Sequence, residues 1–333
     1  MSHTATVRAM SRRFRIALVA VVAVAAAGGV VLGAVFVGGD EPESERPSGV
    51  PPFVVDVGVR TDPEARALRR AAQAYRRSQR GRAGEILRGR SSLPAQVGVA
   101  LVAWPNGSLA RLEELAEENP DSGAVLFHLG LARYWDGDRD GAVAAWRATR
   151  TRDPDSAYAV RAADLLFRRF PPGLPTFIPS FKPPRGLARR RPAAQLAALE
   201  RSARGRDVRA KLLYGLALQR LERPVSARKQ YAAAARLAPR NPEALVADAV
   251  GRFDKAQPQR AFSRLGPLTQ RFPRAATVRF HLGLLLLWLT DVEGARRQLR
   301  IAAESTGSPL APEAKRLLKR LEDVGGGEKD RTG

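Results

Sequence analysis

Residues of the same kind recur every 34 positions along much of this 333-residue chain. Gly215, Ala249 and Gly283 keep that interval, and so do Ala227, Ala261 and Ala295. Pro224 pairs with Pro258, Pro239 with Pro273, and upstream Pro120 with Pro154. A fixed period in this range means one supersecondary unit stacked on copies of itself, each unit too small to bury its own apolar face alone. From Asp62 onward, apolar residues also recur at helical spacing between short Gly, Pro, Asp or Asn turns, without strand-like alternation. The sequence therefore predicts an all-α folded region.

The best-formed unit runs from Gly123 to about Ser156. Leu126, Leu129, Gly130 and Tyr134 mark a first helix, Asp136-Gly137-Asp138 turns the chain, and Ala142 and Trp146 face back from a second helix. The reason is steric. Small residues at Gly130 and Ala142 let antiparallel helices close, Trp146 fills the groove above them, and Pro154 ends the second helix because it has no N–H to donate. Leu129-Gly130, Gly137, Ala142, Trp146 and Pro154 together resemble the tetratricopeptide repeat (TPR) family. A second copy has Gly215, Ala227, Tyr231, Ala234 and Pro239. A degenerate third has Ala249, Ala261, Leu265 and Pro273, and a fourth has Leu282-Gly283, Ala295, Leu299 and Ala302. The resemblance implies a right-handed α-solenoid of helical hairpins, with protein or peptide binding rather than catalysis.

Gly130 and Gly215 lie 85 residues apart, two periods plus 17. Phe170 to Gly186 is 17 residues long and holds six prolines, so it is not helical, and its excision restores the phase. The sequence thus expects an array that tolerates loss of this segment. Its Phe177, Ile178 and Phe181 are apolar contacts that either pack back as a flap or present an extended ligand.

Ile16 to Val37 is a run of 22 uncharged residues, about 33 Å as a helix, enough to cross a bilayer. Arg8, Arg12, Arg13 and Arg15 before it, against Asp40, Glu41, Glu43 and Glu45 after it, place the amino terminus in the cytoplasm and the rest outside. Gly29 and Gly33 form a G-x-x-x-G pair, either a homodimer contact or the ordinary small-residue content of such spans. The expected organisation is a cytoplasmic tail 1–15, a transmembrane helix 16–37, a flexible tether 38–61 and an Arg-rich hairpin 62–90. Repeats 91–169, the Pro-rich insertion 170–186 and repeats 187–310 follow. A capping helix 311–323 and a disordered tail 324–333 end the chain.

If the resemblance carries over, the inner faces of the first helices form a concave binding groove. Phe127, Leu131, Tyr134, Trp135, Leu212, Leu216, Arg220, Val250, Phe253, Phe280, Leu284 and Trp288 would line it. The Lys, Asn and Arg with which some family members grip a peptide carboxylate are replaced by Leu, Val and Phe, which favours an apolar ligand. The net charge of +23 rests on 49 Arg against 7 Lys. Arg66, Arg69, Arg70, Arg76, Arg77 and Arg80 in the first hairpin suit an anionic lipid or cell-wall polymer. An outside location argues against nucleic acid, otherwise the default for so basic a chain. No cysteine is present, which excludes disulfides and cysteine nucleophiles. His128 and His281 each sit in the pentapeptide Phe-His-Leu-Gly-Leu, which repeat homology accounts for without a metal or catalysis. Asp136, Asp138, Asp140 and Gly141 imitate the start of a calcium loop, but its twelfth position is Arg147 and the segment serves as the repeat turn. No cofactor is expected.

Overall fold

The computed structural model describes residues 47–329, and these are helical with no strand among them. The expected transmembrane helix, Gly29 and Gly33 lie outside the described residues. Within those residues no helix is long and apolar enough to cross a membrane.

Contacts divide the described residues into two compact units, 47–168 with 183–234, and 169–182 with 235–329. The first holds α1 (Pro63–Arg76), α2 (Arg80–Leu87), α3 (Leu93–Val102), α4 (Ser108–Glu118), α5 (Gly123–Asp136), α6 (Arg139–Arg152) and α7 (Ala157–Leu166). It continues with α8 (Pro192–Ala203), α9 (Val208–Arg220) and most of α10 (Pro224–Leu237). The second holds α11 (Pro242–Val250), α12 (Gln259–Leu265), α13 (Leu268–Arg271), α14 (Ala276–Trp288), α15 (Val292–Ala303) and α16 (Ala311–Lys329).

Helix starts are written in the sequence. The side chains of Asp62, Ser122, Asp138, Ser156, Asp207, Asn241 and Asp291 each accept a first-turn N–H of the helix that follows, satisfying donors with no intrahelical partner. Asp138 takes the Gly141 N–H at 2.8 Å, and Asp291 takes the Gly294 N–H at 2.8 Å. The acidic turn that imitates a calcium loop is thus a helix cap.

The small-residue column closes three hairpins as its spacing implies. A Cβ at Gly130 would lie 2.4 Å from Trp146 Nε1, at Gly215 2.5 Å from Tyr231 Cε1, and at Gly283 2.8 Å from Leu299 Cγ. Only glycine permits these approaches, and Trp146, Tyr231 and Leu299 are buried in the space it leaves. The degenerate copy departs from one continuous second helix. Its positions Ala261 and Leu265 are buried, but Gly266-Pro267 splits the element into α12 and α13, because Pro267 has no N–H to carry the ladder through.

Two boundaries need correction. The flexible tether was expected to reach residue 61, yet Phe53, Val54 and Val57 are buried, and Phe53 and Val57 join the core of α1–α6. The apolar run Pro51-Pro52-Phe53-Val54-Val55 outweighs the prolines and acids that made the stretch look like a linker. The insertion packs back on the fold, the flap alternative of the sequence reading. Phe170 and Phe177 are 8% and 0% exposed, and residues 169–182 pack as part of the second unit. Helix α16, finally, runs on to Lys329 rather than ending at Asp323.

Candidate functional site

The residues named from the sequence for the groove lie on α5, α9, α11 and α14, apart from Phe253 just beyond α11, and most are covered. Phe127 and Leu131 on α5, Leu212 and Leu216 on α9, and Val250 at the end of α11 are buried. So are Trp135, Phe253, Phe280, Leu284 and Trp288, whereas Tyr134 is half-buried and Arg220 exposed. Beside these residues the chain packs against itself. One extended segment lies over α5 and α7 in the first unit, and another over α14 and α11 in the second.

In the first unit that segment, called here the first strap, is residues 50–57. The Val54 N–H donates to His128 Nε2 at 3.0 Å, while His128 Nδ1 lies 2.6 Å from the Ala124 carbonyl one turn back. A carbonyl only accepts, so Nδ1 carries the proton and Nε2 is left as an acceptor. Phe53 packs its ring against His128, at 5.9 Å between centroids, and edge-on to Tyr75 at 6.0 Å. The Tyr75 hydroxyl donates to the Pro51 carbonyl at 3.0 Å.

Further along, the Asp56 N–H donates to the Tyr158 hydroxyl at 3.1 Å. The Asp56 carboxylate accepts the Ala157 N–H at the start of α7 at 3.2 Å and pairs with Arg223 at 2.8 Å. Burial pushes the Tyr158 hydroxyl up to about 12, so it stays protonated as partner to the strap. Asp155 completes this polar edge by accepting the Val225 and Ser226 N–H groups at 2.8 and 2.9 Å, capping α10.

The second strap, residues 170–182, repeats the arrangement with different chemistry around it. The Ile178 N–H donates to His281 Nε2 at 2.9 Å, and His281 Nδ1 lies 2.7 Å from the Thr277 carbonyl. Phe177 stacks on His281 with centroids 5.2 Å apart and planes 20° apart. The Ser180 N–H donates to Glu243 Oε1 at 3.0 Å, and the buried Lys255 ammonium donates to the Pro171 carbonyl at 2.6 Å. That ammonium also lies 5.6 Å from the Trp288 ring centre, a cation–π contact. Phe170 meets Phe253 edge-on at 6.2 Å, and Phe253 in turn meets Trp288 at 5.5 Å. Of the three insertion contacts named from sequence, Phe177 is fully buried, and Ile178 and Phe181 are half-buried.

Both histidines are 1% exposed, and burial first of all lowers each to about 4, so both are neutral at physiological pH. Each reads the main chain of a strap as an acceptor. Sequence reasoning did not see this role. Its signal was the identical pentapeptide combined with two Phe-aliphatic pairs, Phe53-Val54 and Phe177-Ile178, standing upstream.

The arginines of the first hairpin divide in two. Arg66, Arg69 and Arg80 donate to the Thr61, Gly58 and Trp104 carbonyls, and so fix local structure. Arg70, Arg76 and Arg77 are exposed on α1 and the residue after it. Among the described residues no cluster of three or more His, Asp or Glu is placed to hold a metal ion.

No family model and no curated protein matches the chain. Among solved structures it is similar to a tetratricopeptide repeat protein from Parabacteroides merdae, 12% identical over 78% of this chain and 98% of that one, with a TM-score of 0.33. It is also similar to an assembly chaperone of RpL4 (Acl4), 18% identical over 82% of this chain and 100% of that one, with a TM-score of 0.23. Neither likeness is strong enough to bear on the fold, which rests on the hairpins described above.

Proposed function

We propose that this chain is a non-enzymatic helical-repeat scaffold that binds protein segments along the inner faces of its helices. In this reading it is held at a membrane by residues 16–37, with the amino terminus cytoplasmic and the folded units outside. The observation that carries it is that both units grip an extended polypeptide on that face, each through a neutral histidine and a buried Phe. Helical faces that hold main chain this way supply affinity through backbone hydrogen bonds and selectivity through side-chain pockets. A place in envelope assembly is the wider role this reading suggests, by analogy of fold alone.

The test has two arms. The full chain should stay with membranes through alkaline extraction, a chain lacking residues 1–46 should be released, and protease added from outside should digest the folded units. A photoreactive residue replacing Arg220, which is exposed on α9, should crosslink to a protein in the cells that make this chain. Extraction of the full chain refutes the anchor. No crosslinked protein at Arg220 refutes the scaffold.

A second reading has its own observation, the exposed Arg70, Arg76 and Arg77. On it the first hairpin binds anionic lipid or wall polymer. Arg70→Gln/Arg76→Gln/Arg77→Gln would then abolish binding to phosphatidylglycerol vesicles, and the unaltered chain would lose that binding near 1 M salt, where screening acts within about 3 Å. Vesicle binding unchanged by the substitutions ends this reading.

A further inference from the structure

Two stretches far apart in the chain bring the same dipeptide chemistry to the same pentapeptide. Phe53-Val54 meets Phe127-His128 on α5, and Phe177-Ile178 meets Phe280-His281 on α14. In each case a ring lies against the imidazole, and the N–H of the following β-branched residue points at Nε2. The imidazole is a selective reader. As a neutral acceptor it takes a backbone N–H and therefore rejects proline at that place, and its buried surroundings reject a charged side chain.

The two straps differ in how firmly they are held. The first is locked by ionic and capping contacts through Asp56, Arg223 and the Ala157 N–H. Around Phe177 the second is held by main-chain bonds and ring stacking, with Ile178, Pro179, Ser180 and Phe181 only half-buried. An incoming segment able to supply a Phe and one N–H would replace the Phe177 and Ile178 contacts at His281, while the Ser180–Glu243 and Pro171–Lys255 bonds hold the strap beyond them.

We propose that the face around His281 is a receptor for an extended segment of a partner protein in which Phe is followed by Val or Ile, with no charge at that pair, and that residues 170–182 are its exchangeable resident. This rests on the scaffold reading above and names the ligand for it. Because the resident is tied at both ends, it competes at an effective concentration in the millimolar range for short linkers. Wild-type protein therefore binds an outside segment weakly, since apparent affinity falls with the fraction of open groove.

The test uses full-length protein and a fluorescein-labelled peptide of residues 173–182, followed by anisotropy. Phe177→Ala in the protein weakens the resident strap and is expected to raise probe affinity at least about tenfold over wild type. N-methylation of the probe at its isoleucine, or His281→Phe added to the Phe177→Ala protein, should remove that gain. A peptide of residues 50–57 should compete, whereas one with Phe replaced by Glu should not. If Phe177→Ala melts without cooperativity, Ile178→Pro takes its place, since it removes the donor to His281 and keeps the Phe177 ring. Three results overturn the proposal: no gain in a folded variant, binding indifferent to N-methylation, or loss of cooperative melting in both variants, which makes the strap a fixed part of the core. A protein crosslinked at Arg220 together with no gain in probe affinity for the folded Phe177→Ala protein overturns this inference while leaving the scaffold standing. Probe binding with no crosslinked protein does the reverse.

Discussion

The straps over α5 and α14 are two solutions to one problem. Each seats a Phe beside a buried histidine and spends the next N–H on its Nε2. Around that shared centre the first strap is polar, with Asp56 bonded to Tyr158, Ala157 and Arg223, while the second is aromatic, with Phe170, Phe253 and Trp288 in contact. The comparison separates what a groove needs from what surrounds it. The ring and the main-chain acceptor recur, and the flanking chemistry does not.

The largest effect that can break this equivalence is removal of either ring. Phe53→Ala and Phe177→Ala should each cost about 3–5 kcal/mol, from lost burial plus an unfilled cavity, read as a shift in the urea midpoint at constant slope. A cost below about 1 kcal/mol at one site and not the other would mean that the two straps are not counterparts.

Acid should act on both centres alike. Each histidine falls from 6.5 in the unfolded chain to about 4 in the fold. Their contribution is therefore fully present above pH 6.5 and is lost as pH drops from there towards 4, by on the order of 3 kcal/mol each. Physically, a protonated imidazole would turn an N–H against the strap's N–H. Arg161 also lowers His128 by repulsion, and the Tyr158 ring lies beside it, whereas burial dominates at His281, opposed by the bond to the Thr277 carbonyl. His128→Gln and His281→Gln should each flatten the stability–pH slope by up to one proton in this window. An unchanged slope refutes the acceptor role.

Asp56→Ala probes the difference rather than the likeness. It strips Arg223 and the α7 cap at once and should cost roughly 2 kcal/mol. It should leave affinity for the 173–182 probe in the Phe177→Ala protein unchanged. A change in that affinity would show the two grooves to be energetically coupled. The smallest effect belongs to Arg70→Gln/Arg76→Gln/Arg77→Gln, which should move the melting temperature by no more than exposed-surface changes do, about 0.5 kcal/mol or less.

Much of the helical architecture was legible, because close helix contact leaves a period in the sequence. Gly130, Gly215 and Gly283 each face a large side chain, and no other residue fits there. The cap residues were legible for a related reason, since an Asp or Ser before a helix is chosen by local chemistry alone. The straps were not. An extended segment carries no period, and its partner lies 74 residues away in one case and 103 in the other. Proline and acid made residues 38–61 read as a tether, although Phe53, Val54 and Val57 already argued for burial. Most residues named for the candidate groove are buried, and the segments packed beside His128 and His281 were missed, because a sequence pattern shows which face is apolar and not what covers it.

The order of these parts along the chain has a consequence for synthesis. Each strap precedes the helix that receives it, so it leaves the ribosome before its groove exists. At about 5–20 residues per second, Val54 waits roughly 4–15 s for His128, and Ile178 roughly 5–20 s for His281. During that interval Phe53 can already meet Tyr75 on α1, whereas Phe177 waits for α14 before its stacking partner exists. The second unit therefore closes around its strap from the carboxyl-terminal side.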